Sequence, residues 1–388
     1  MSTHSVLFSP DLLSIILEFH GGLTLAAVCS ELRTLTGQVA KFSLRSYSLM
    51  AYVTDAKLRR MVRARVANLS KKLHLDLMFD IPGDWKPKYT ALLNEAASVE
   101  IQMSLTEVDE IPWKELRNVV DLYISRDEES DMELSSVAFL RDLLTLKRLY
   151  VNTGEIDLQY IEHLKELEYL ALEVQQPCPN STDALAGLRK LTYLDLSFSS
   201  GPRLDFIGVI PSLTSLCLAG AKIEDFSWLR HNTGLRTINL DLSSVTDAGV
   251  SLLRNCKNLV ELSLRSTAVT DISVVECLPK LSVLELSELK HIKDFTPLSK
   301  ALCLRELDLG CTNFSDLQIL ASLPRLQDLD CSGSSVTTLQ PLTHFTALRK
   351  LSICNCKIEC YAPIFEIDPA VLVYADIFKN KTLVRRLV

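Results

Sequence analysis

The sequence predicts an α/β solenoid, in which a curved parallel β-sheet lines the concave face and short helices or 3-10 turns form the convex face, preceded by an N-terminal helical segment. Two observations predict this fold. The pattern Leu-x-x-Leu-x-Leu, with Ile, Val or Cys allowed at single positions, recurs ten times between Leu146 and Leu348. The intervals between successive copies run from 21 to 24 residues, and so regular a spacing is typical of stacked repeats.

The physical basis of the repeat is the pair of closely spaced leucines in each copy. In Leu-x-Leu both leucines point to one side of a short strand, and the residue between them points to the other. Each strand is therefore expected to pair in parallel with its copy in the next unit, so that the leucines stack into one core. The copies begin at Leu146, Leu167, Leu191, Leu213, Leu235, Leu259, Leu281, Leu304, Leu326 and Leu348.

Weaker copies precede the regular ones. They are Val119-x-x-Leu122-x-Ile124 and Ala96-x-x-Val99-x-Ile101, with a fragment at Leu73-x-Leu75. We therefore assign residues 46–363 to the solenoid, with weak repeats up to about residue 145 and regular repeats over 146–363. Residues 364–388 lose the pattern, and they are expected to form a C-terminal cap that closes the core, followed by a solvated tail.

A second fixed feature of the repeat is an aspartate that follows the strand at a constant interval. An Asp at that place can accept backbone N–H groups at the start of the short helix or 3-10 segment that returns the chain on the convex side. We therefore predict N-terminal caps, and not catalytic groups, at Asp225, Asp247, Asp271, Asp294 and Asp316.

The repeat resembles the leucine-rich-repeat family over most of the chain. Most units are similar to the short class found in intracellular phosphatase regulators and bacterial internalins, which implies a binding solenoid. The unit over 245–259 instead resembles the longer cysteine-containing class common in F-box proteins. The ninth position lacks the usual Asn, and its hydroxyls and thiol are expected to bond to backbone in the turn. That position holds Ser199, Ala221, Ser243, Thr267, Leu289, Thr312, Ser334 and Cys356.

Residues 1–45 do not follow the repeat, and we predict that they are helical. Ser9 and Pro10 suit the start of an apolar helix that ends before Gly21. The segment resembles an F-box, although Ser9 and Leu32 stand where that family has Leu and Trp. The resemblance implies contact with a Skp-family adaptor, and a plain helical cap for the solenoid is the alternative. The residues of that contact would be Pro10, Asp11, Ile16, Leu17, Leu23, Val28, Cys29 and Leu32.

Motifs of the main enzyme classes are absent from the sequence. It has no phosphate-binding Gly-Lys-Ser/Thr loop, Gly-x-Ser-x-Gly elbow, His-Glu-x-x-His or dinucleotide fingerprint. We therefore expect no catalytic residues, no cofactor and no enzymatic activity. Cys354, Cys356 and Cys360 are close in sequence, but their positions face opposite sides of a strand, so we expect no metal. The eleven cysteines are interpreted as small buried side chains in a reducing compartment.

Charge and hydropathy narrow the class of partner. The net charge of −7 at pH 7 argues against nucleic acid as the main ligand, because phosphate binding needs a positive surface. No apolar run is long enough to span a bilayer, so no membrane association is expected. The N-terminus lacks the basic and apolar regions of a secretory signal, which predicts a cytoplasmic location with the nucleus as an alternative.

The predicted concave face turns acidic toward its C-terminal end. Outward strand positions in three neighbouring units carry five carboxylates, and like charges at such spacing repel each other. A Lys/Arg-rich segment of a partner protein would offset that repulsion, whereas a solvated acidic face that maintains solubility is the alternative. The predicted partner-binding residues are Tyr193, Asp195, Asp241, Glu261, Glu285, Glu306, Asp308, Asp328 and Asp330.

Two functional classes follow from these observations. In the first, the chain is a substrate adaptor of a cullin–RING ubiquitin ligase, and the repeats bind the target. In the second, it is a non-catalytic scaffold or regulatory subunit, and residues 1–45 only cap the array.

Overall fold

The computed structural model describes the following parts of the 388-residue chain. They are the backbone of 14–16, 41–44, 74–78 and 98–104, residues 90 and 94, and the ranges 111–125, 137–156, 158–177, 185, 187–203 and 210–375. The chain divides into two compact units, Met1–Leu172 and Glu173–Val388. Within the described ranges, no helix combines the length and apolar character needed to cross a membrane.

The first unit contains parallel strands that pair in chain order. Its strands are β1 (Ser14–Ile16), β2 (Lys41–Leu44), β3 (His74–Met78), β4 (Ser98–Ser104), β5 (Val119–Ser125) and β6 (Arg148–Ile156). Strand β7 (Tyr169–Pro177) spans the boundary between the units. The strands are linked through 3-10 helices at Trp113–Glu115, Ala138–Asp142 and Leu158–Tyr160.

The second unit repeats the same arrangement with shorter strands. Its main sheet contains β8 (Tyr193–Asp195), β10 (Ser215–Cys217), β12 (Thr237–Asn239), β13 (Glu261–Ser263), β14 (Val283–Glu285), β15 (Glu306–Asp308), β16 (Asp328–Asp330), β17 (Lys350–Ser352) and β18 (Leu372–Tyr374), all parallel. A separate pair, β9 (Ser200–Arg203) and β11 (Lys222–Asp225), is also parallel. Stacked parallel strands with short returns confirm the predicted leucine-rich-repeat solenoid fold.

Short helices return the chain from one strand to the next. The 3-10 helices of the second unit are Ser227–His231, Leu252–Asn255, Ser273–Cys277, Thr296–Lys300, Leu317–Leu320, Gln340–His344 and Ala362–Phe365. An α-helix, α1 (Asp247–Ser251), lies in the unit that resembles the longer cysteine-containing class. Cys256 of that unit is fully buried, and burial raises the pKa of its thiol to about 11. The extra length of this unit is thus accommodated as a turn of α-helix.

The leucines of the repeat form the core, as the alternation predicts. Leu284, Leu307, Leu329 and Leu351 occupy the same register position on successive strands, and each is at most 2% exposed. Their neighbours on either side in each strand are half-buried or exposed, apart from Ser352. Burial on one face and exposure on the other follows from the two-residue period of a strand.

A residue in the left-handed region follows each strand from β8 to β17 in this sheet. Eight residues share that conformation, with φ between 53° and 68°. From Phe198 to Gly333, each of them donates its backbone N–H to a carbonyl of the next unit, as where Cys311 N donates to Ser332 O at 2.7 Å. This ladder of hydrogen bonds offsets a conformation that costs about 1–2 kcal/mol for a residue with a Cβ. The eight are Phe198, Gly220, Leu242, Ser266, Glu288, Cys311, Gly333 and Asn355.

The ninth position of the repeat bonds to backbone as predicted. Ser243 Oγ donates to Leu240 O at 2.6 Å, and Thr312 Oγ1 donates to Leu309 O at 2.7 Å. Cys356 Sγ instead donates to the carbonyl of Cys331 in the preceding unit, at 2.9 Å. The hydroxyls thus close their own turns without the usual Asn, whereas this thiol links two units.

The predicted aspartate cap is confirmed at the N-cap position for Asp316, while three further aspartates lie one residue before the N-cap position. Asp225, Asp271, Asp294 and Asp316 each accept the backbone N–H two residues ahead, at 2.7 to 2.9 Å. These bonds satisfy the first donors of the 3-10 segments. The prediction is wrong for Asp247, whose carboxylate instead accepts hydrogen bonds from the following unit.

The structure departs from the sequence prediction at the predicted N-terminal boundary. Ser14–Ile16 form strand β1, so the helix predicted there is wrong at these residues, and Ile16 is paired in a sheet. Two consecutive β-branched isoleucines favour extended backbone over helix. Because β2 also pairs with β3, the sheet begins before residue 46.

The repeat also continues beyond the predicted boundary at residue 363. Strand β18 pairs with β17 in register, and Val373 takes the place of the repeat leucine. The leucine pattern does not match this unit because its inward positions hold smaller side chains, including Ala375, which is 6% exposed. Phe365 lies in the segment predicted to form a cap that closes the core, but its side chain is 68% exposed.

Candidate binding surface

A shallow groove of about 190 Å³ crosses strands β14 to β17 on the exposed face of the sheet. We call it the acidic groove. The carboxylates that line it are Glu285, Glu306, Asp308, Asp328 and Asp330, and Lys350 supplies one cation. The structure thus brings together the five acids that the sequence predicted as a cluster.

The register of the strands places the acids in two rows. Glu306 pairs with Asp328 in the first row, and Asp308 pairs with Asp330 in the second. Glu285 extends the second row by one strand. Adjacent strands are about 4.8 Å apart, and like charges directly opposite each other destabilise a sheet. The groove therefore gains stability from any cation that enters it.

The two aspartates of the second row have a structural role as well as a charge. Asp308 Oδ1 accepts the backbone N–H of Gly310 at 2.8 Å, and Asp330 Oδ1 accepts that of Ser332 at 2.7 Å. Each bond closes a turn at the end of a strand. The sequence analysis treated these residues as charges alone, although an Asp two residues before the turn is the signal for this bond.

Glu306 and Asp328 have no such local role. Within the described part of the chain, neither carboxylate makes a hydrogen bond or an ion pair, and Glu306 is exposed. Lys350 lies opposite Asp328 in the register, but its Nζ is 5.7 Å from the centroid of the Tyr374 ring. These two acids are therefore the ones most available to a partner.

Glu285 is already partly neutralised by its neighbours. Its carboxylate accepts the hydroxyl of Ser263 at 2.8 Å and lies 4.0 Å from the Arg265 guanidinium. Because both ends of that ion pair are exposed to water, the pair contributes little to stability. The carboxylate of Glu285 is consequently less available to a cationic partner than those of Glu306 and Asp328.

The other predicted residues of this face lie outside the acidic groove. Tyr193 and Asp195 are on β8, and Glu261 is on β13. Asp195 accepts the N–H of Ser197 at 2.9 Å, and Asp241 accepts that of Arg265 at 2.8 Å. Their carboxylates are thus used in local bonds, and the structure does not group these residues with the five acids.

The predicted adaptor contacts remain a prediction, because the structure describes only one of them. Ile16 lies in β1, and the others fall outside the described residues. Those others are Pro10, Asp11, Leu17, Leu23, Val28, Cys29 and Leu32.

The three neighbouring cysteines take different environments. Cys354 and Cys356 are half-buried, Cys360 is exposed, and the thiol of Cys356 is bonded to a backbone carbonyl. Among the residues that the structure describes, no set of three or more His, Cys, Asp or Glu side chains could hold a metal ion.

A stacked pair of tyrosines in the first unit was missed by the sequence analysis. The rings of Tyr123 and Tyr150 are 4.1 Å apart between centroids and nearly parallel, at 3°. Beside them Arg148 bonds to Asp121 at 2.6 Å. Each tyrosine lies between two inward-facing residues of a repeat, Tyr123 in a weak copy and Tyr150 in the first regular one. That shared position was the signal that could have identified the pair.

Comparisons with known proteins agree with the fold. No family model matches the chain. Lumican of Mus musculus is 27% identical over an alignment of 219 residues. The alignment covers 49% of this chain and 64% of lumican, so it spans less than two thirds of that relative. An internalin structure from Listeria monocytogenes is similar with a TM-score of 0.57 at 20% identity, and covers 69% of this chain and 77% of the internalin.

The structure of a plant receptor ectodomain is also similar to this chain. The leucine-rich-repeat ectodomain of a membrane receptor kinase from Arabidopsis thaliana, solved in complex with Casparian strip integrity factor 2, is similar with a TM-score of 0.55 at 16% identity. The likeness covers 79% of this chain and 37% of the receptor. These likenesses show the leucine-rich-repeat fold.

The predicted cytoplasmic location is wrong on the same comparisons. Lumican and the receptor ectodomain are extracellular or membrane-side proteins. The prediction rested on the absence of a recognisable leader at the N-terminus, which is a weak signal compared with a match that covers 49% of the chain.

Proposed function

We propose that this chain is a non-catalytic binding protein whose acidic groove takes a Lys/Arg-rich segment of a partner protein. The observation that carries the proposal is the register of the groove, which sets Glu306 directly beside Asp328 with neither carboxylate partnered. A cationic side chain between them converts a repulsion into two attractions. The relatives with this fold that bind protein ligands support the general class.

Neutralising the two unpartnered acids is expected to weaken binding of a basic peptide about tenfold, since each exposed ion pair contributes up to about 1 kcal/mol. The variant is Glu306→Gln with Asp328→Asn, which keeps side-chain size and leaves the turn bonds of Asp308 and Asp330 intact. The measurement is the fluorescence anisotropy of a labelled nona-arginine peptide at about 0.05 and about 0.5 M ionic strength, where screening differs severalfold.

The matched control removes the same two negative charges elsewhere. Glu276 and Glu366 are exposed and lie in or beside 3-10 segments, away from the groove. Glu276→Gln with Glu366→Gln should bind the peptide as the natural chain does. An equal loss in both double variants would mean that net charge alone drives binding, and the groove would have no part in it.

A ubiquitin-ligase adaptor is the second candidate, and it rests on the F-box resemblance of residues 10–32. The strand at Ser14–Ile16 and the location of the relatives both weigh against it. This candidate requires that the chain co-purifies with a purified Skp-family protein. The complex must also be lost when Pro10, Ile16 and Leu17 are changed together to alanine. Absence of the complex with the natural chain would remove this candidate and leave the groove proposal standing.

A further inference from the structure

A row of basic residues runs along one edge of the main sheet in the second unit. In each of six consecutive repeats, the four residues from two before to one after the first leucine contain one Arg or Lys and no acid. We call these six bases the basic row, and all six are exposed. They are Arg236, Lys257, Lys280, Arg305, Arg325 and Arg349. The row thus carries a charge of +6 in a chain whose net charge is −7.

Backbone hydrogen bonds between units keep the row in line. Gln327 N donates to Arg305 O at 2.8 Å, and Arg349 N donates to Gln327 O at 2.7 Å. Each unit therefore adds one base at about the spacing of parallel strands, about 4.8 Å. The five steps from Arg236 to Arg349 cover about 24 Å at that spacing. The result is a straight, evenly charged edge of known length.

Side-chain contacts hold cations along the row without neutralising them. Lys280 Nζ donates to Asn258 Oδ1 of the preceding unit at 2.7 Å. Lys257 Nζ donates to the carbonyl of Cys277 in the next unit at 3.0 Å. Within the ranges that the structure describes, no residue of the row forms an ion pair. Unpaired cations at this spacing repel each other, and a polyanion laid along them replaces that repulsion by attraction.

The shape and composition of the row favour one class of polyanion. Its six stretches of four residues contain no aromatic side chain on which the bases of a nucleic acid could stack. An extended acidic peptide turns a side chain to the same face every two residues, or about 6.8 Å, which falls out of step with a row of about 4.8 Å. A sulfated polysaccharide carries charges on all sides of its chain, so it needs no fixed register.

The chemistry of the cations and the location of the relatives favour the same ligand. Four of the six bases are arginines, whose planar guanidinium groups bind oxyanions through two parallel hydrogen bonds. Clusters of Lys and Arg are typical of surfaces that bind heparin as well as nucleic acid. Relatives of the chain are extracellular or membrane-side proteins, and secreted sulfated polysaccharides are found on that side.

We propose that the basic row binds a sulfated polysaccharide chain along the edge of the sheet. The site is separate from the acidic groove, whose carboxylates begin one residue later, as where Glu306 follows Arg305. The inference therefore does not rest on the proposed function. Binding is electrostatic, so its affinity falls steeply as the salt concentration rises.

The test uses fluorescein-labelled low-molecular-weight heparin as the probe and the anisotropy of its fluorescence as the measurement. The variant Lys280→Gln, Arg305→Gln and Arg325→Gln removes three neighbouring charges from the full chain. We expect its affinity for heparin to fall about tenfold, the effect of losing three exposed ion pairs. The slope of log affinity against log salt concentration should also become shallower, because fewer counterions are released on binding. Circular dichroism checks that the variant is folded.

A matched control removes three positive charges from a different position of the repeat. Lys222, Lys290 and Lys357 are exposed, and each is the tenth residue of its unit, beyond the turn that follows the strand. Their joint change to Gln gives the same net charge as the row variant. We expect this control to bind heparin as the natural chain does.

Each other outcome overturns the proposal. An equal loss in both triple variants would mean that net charge alone drives binding. Unchanged affinity of the row variant would place heparin on another part of the chain. Heparin stripped of its sulfates should bind weakly, and equal binding of that probe would contradict recognition of sulfate. Tighter binding of poly-glutamate, oligothymidylate or phosphatidylserine vesicles than of heparin would assign the row to an acidic protein, a nucleic acid or a membrane instead.

Discussion

Replacing Phe314 by alanine is expected to lower the free energy of unfolding of the second unit by about 4 kcal/mol, in the range measured for buried Phe→Ala substitutions. Phe314 is fully buried, and its ring packs edge-on against Phe295, with 5.0 Å between centroids and 73° between planes. Alanine loses this contact and leaves a cavity that a stack of rigid repeats cannot close.

The position of Phe314 in the repeat explains why its loss is not compensated. The same place in the neighbouring units holds aliphatic side chains, each at most 2% exposed. They are Ile223, Val245, Val269, Ile292 and Val336. Because adjacent units contribute β-branched residues with few rotamers, none of them can turn into the space left by the ring.

Urea denaturation followed by circular dichroism measures the effect, and Phe365→Ala is the matched control. Phe365 is 68% exposed, so its removal takes away little buried area. We expect its unfolding midpoint to stay within the error of the natural chain, while that of Phe314→Ala falls steeply. Comparable shifts in the two variants would contradict the core described above.

The leucine pattern predicted the strands and their faces because it reports a strong physical constraint. A strand with one buried face must alternate, so the positions of Leu284, Leu307 and Leu329 in sequence fix which residues face solvent. The five acids of the groove follow directly, since they stand between or beside those leucines. This part of the site could be predicted because a parallel register repeats it in every unit.

The left-handed residues could not be predicted from residue type. Only two of the eight are glycine, and Leu242 and Phe198 are poor choices for that conformation. They adopt it because their backbone N–H groups complete a ladder between units, as where Leu242 N donates to Arg265 O at 2.8 Å. A hydrogen bond repeated between units therefore outweighs the preference of these residues for negative φ. Propensities of single residues do not include this bond, so they cannot predict the conformation.

The strand at Leu372–Tyr374 was missed for the opposite reason. Its register is as regular as any other, but Val373 and Ala375 replace the two leucines of the pattern. Valine and alanine are apolar and fill the two inward positions of the strand, but a pattern written for leucine does not match them.

Replacing Asp247 by alanine is expected to cost about 2 kcal/mol of stability at neutral pH, because it leaves backbone donors of the next unit without their charged acceptor. Asp247 Oδ1 accepts the N–H groups of Thr270 at 2.6 Å and Asp271 at 2.9 Å, and Oδ2 accepts the Thr270 hydroxyl at 2.8 Å. Asp294→Ala removes bonds only within its own turn, to Thr296, and is the control with the smaller expected loss.

The cost should depend on pH in a defined direction. Burial opposes ionisation of Asp247, but the hydrogen bonds from Thr270 and Asp271 and the charge of Lys293 outweigh it and lower its pKa below the ordinary 3.8. A carboxyl with a lowered folded pKa stabilises the fold above its unfolded pKa and loses that contribution as pH falls through the folded value. The difference between the natural chain and Asp247→Ala should therefore be constant from pH 7 to 5 and shrink below about pH 3.8.

The link made by Asp247 also bears on how the array unfolds. In a solenoid, stability is the sum of the units and the interfaces between them, and Asp247 contributes to an interface. Its removal should therefore weaken the coupling of neighbouring units, so that the urea transition broadens and its m-value falls. Phe314→Ala removes packing from the core and should shift the midpoint at an unchanged slope. If the urea midpoint of Asp247→Ala shifts but the transition does not broaden, the loss of stability is confined to one unit. That result would contradict a role for the bonds from Thr270 and Asp271 in coupling the units.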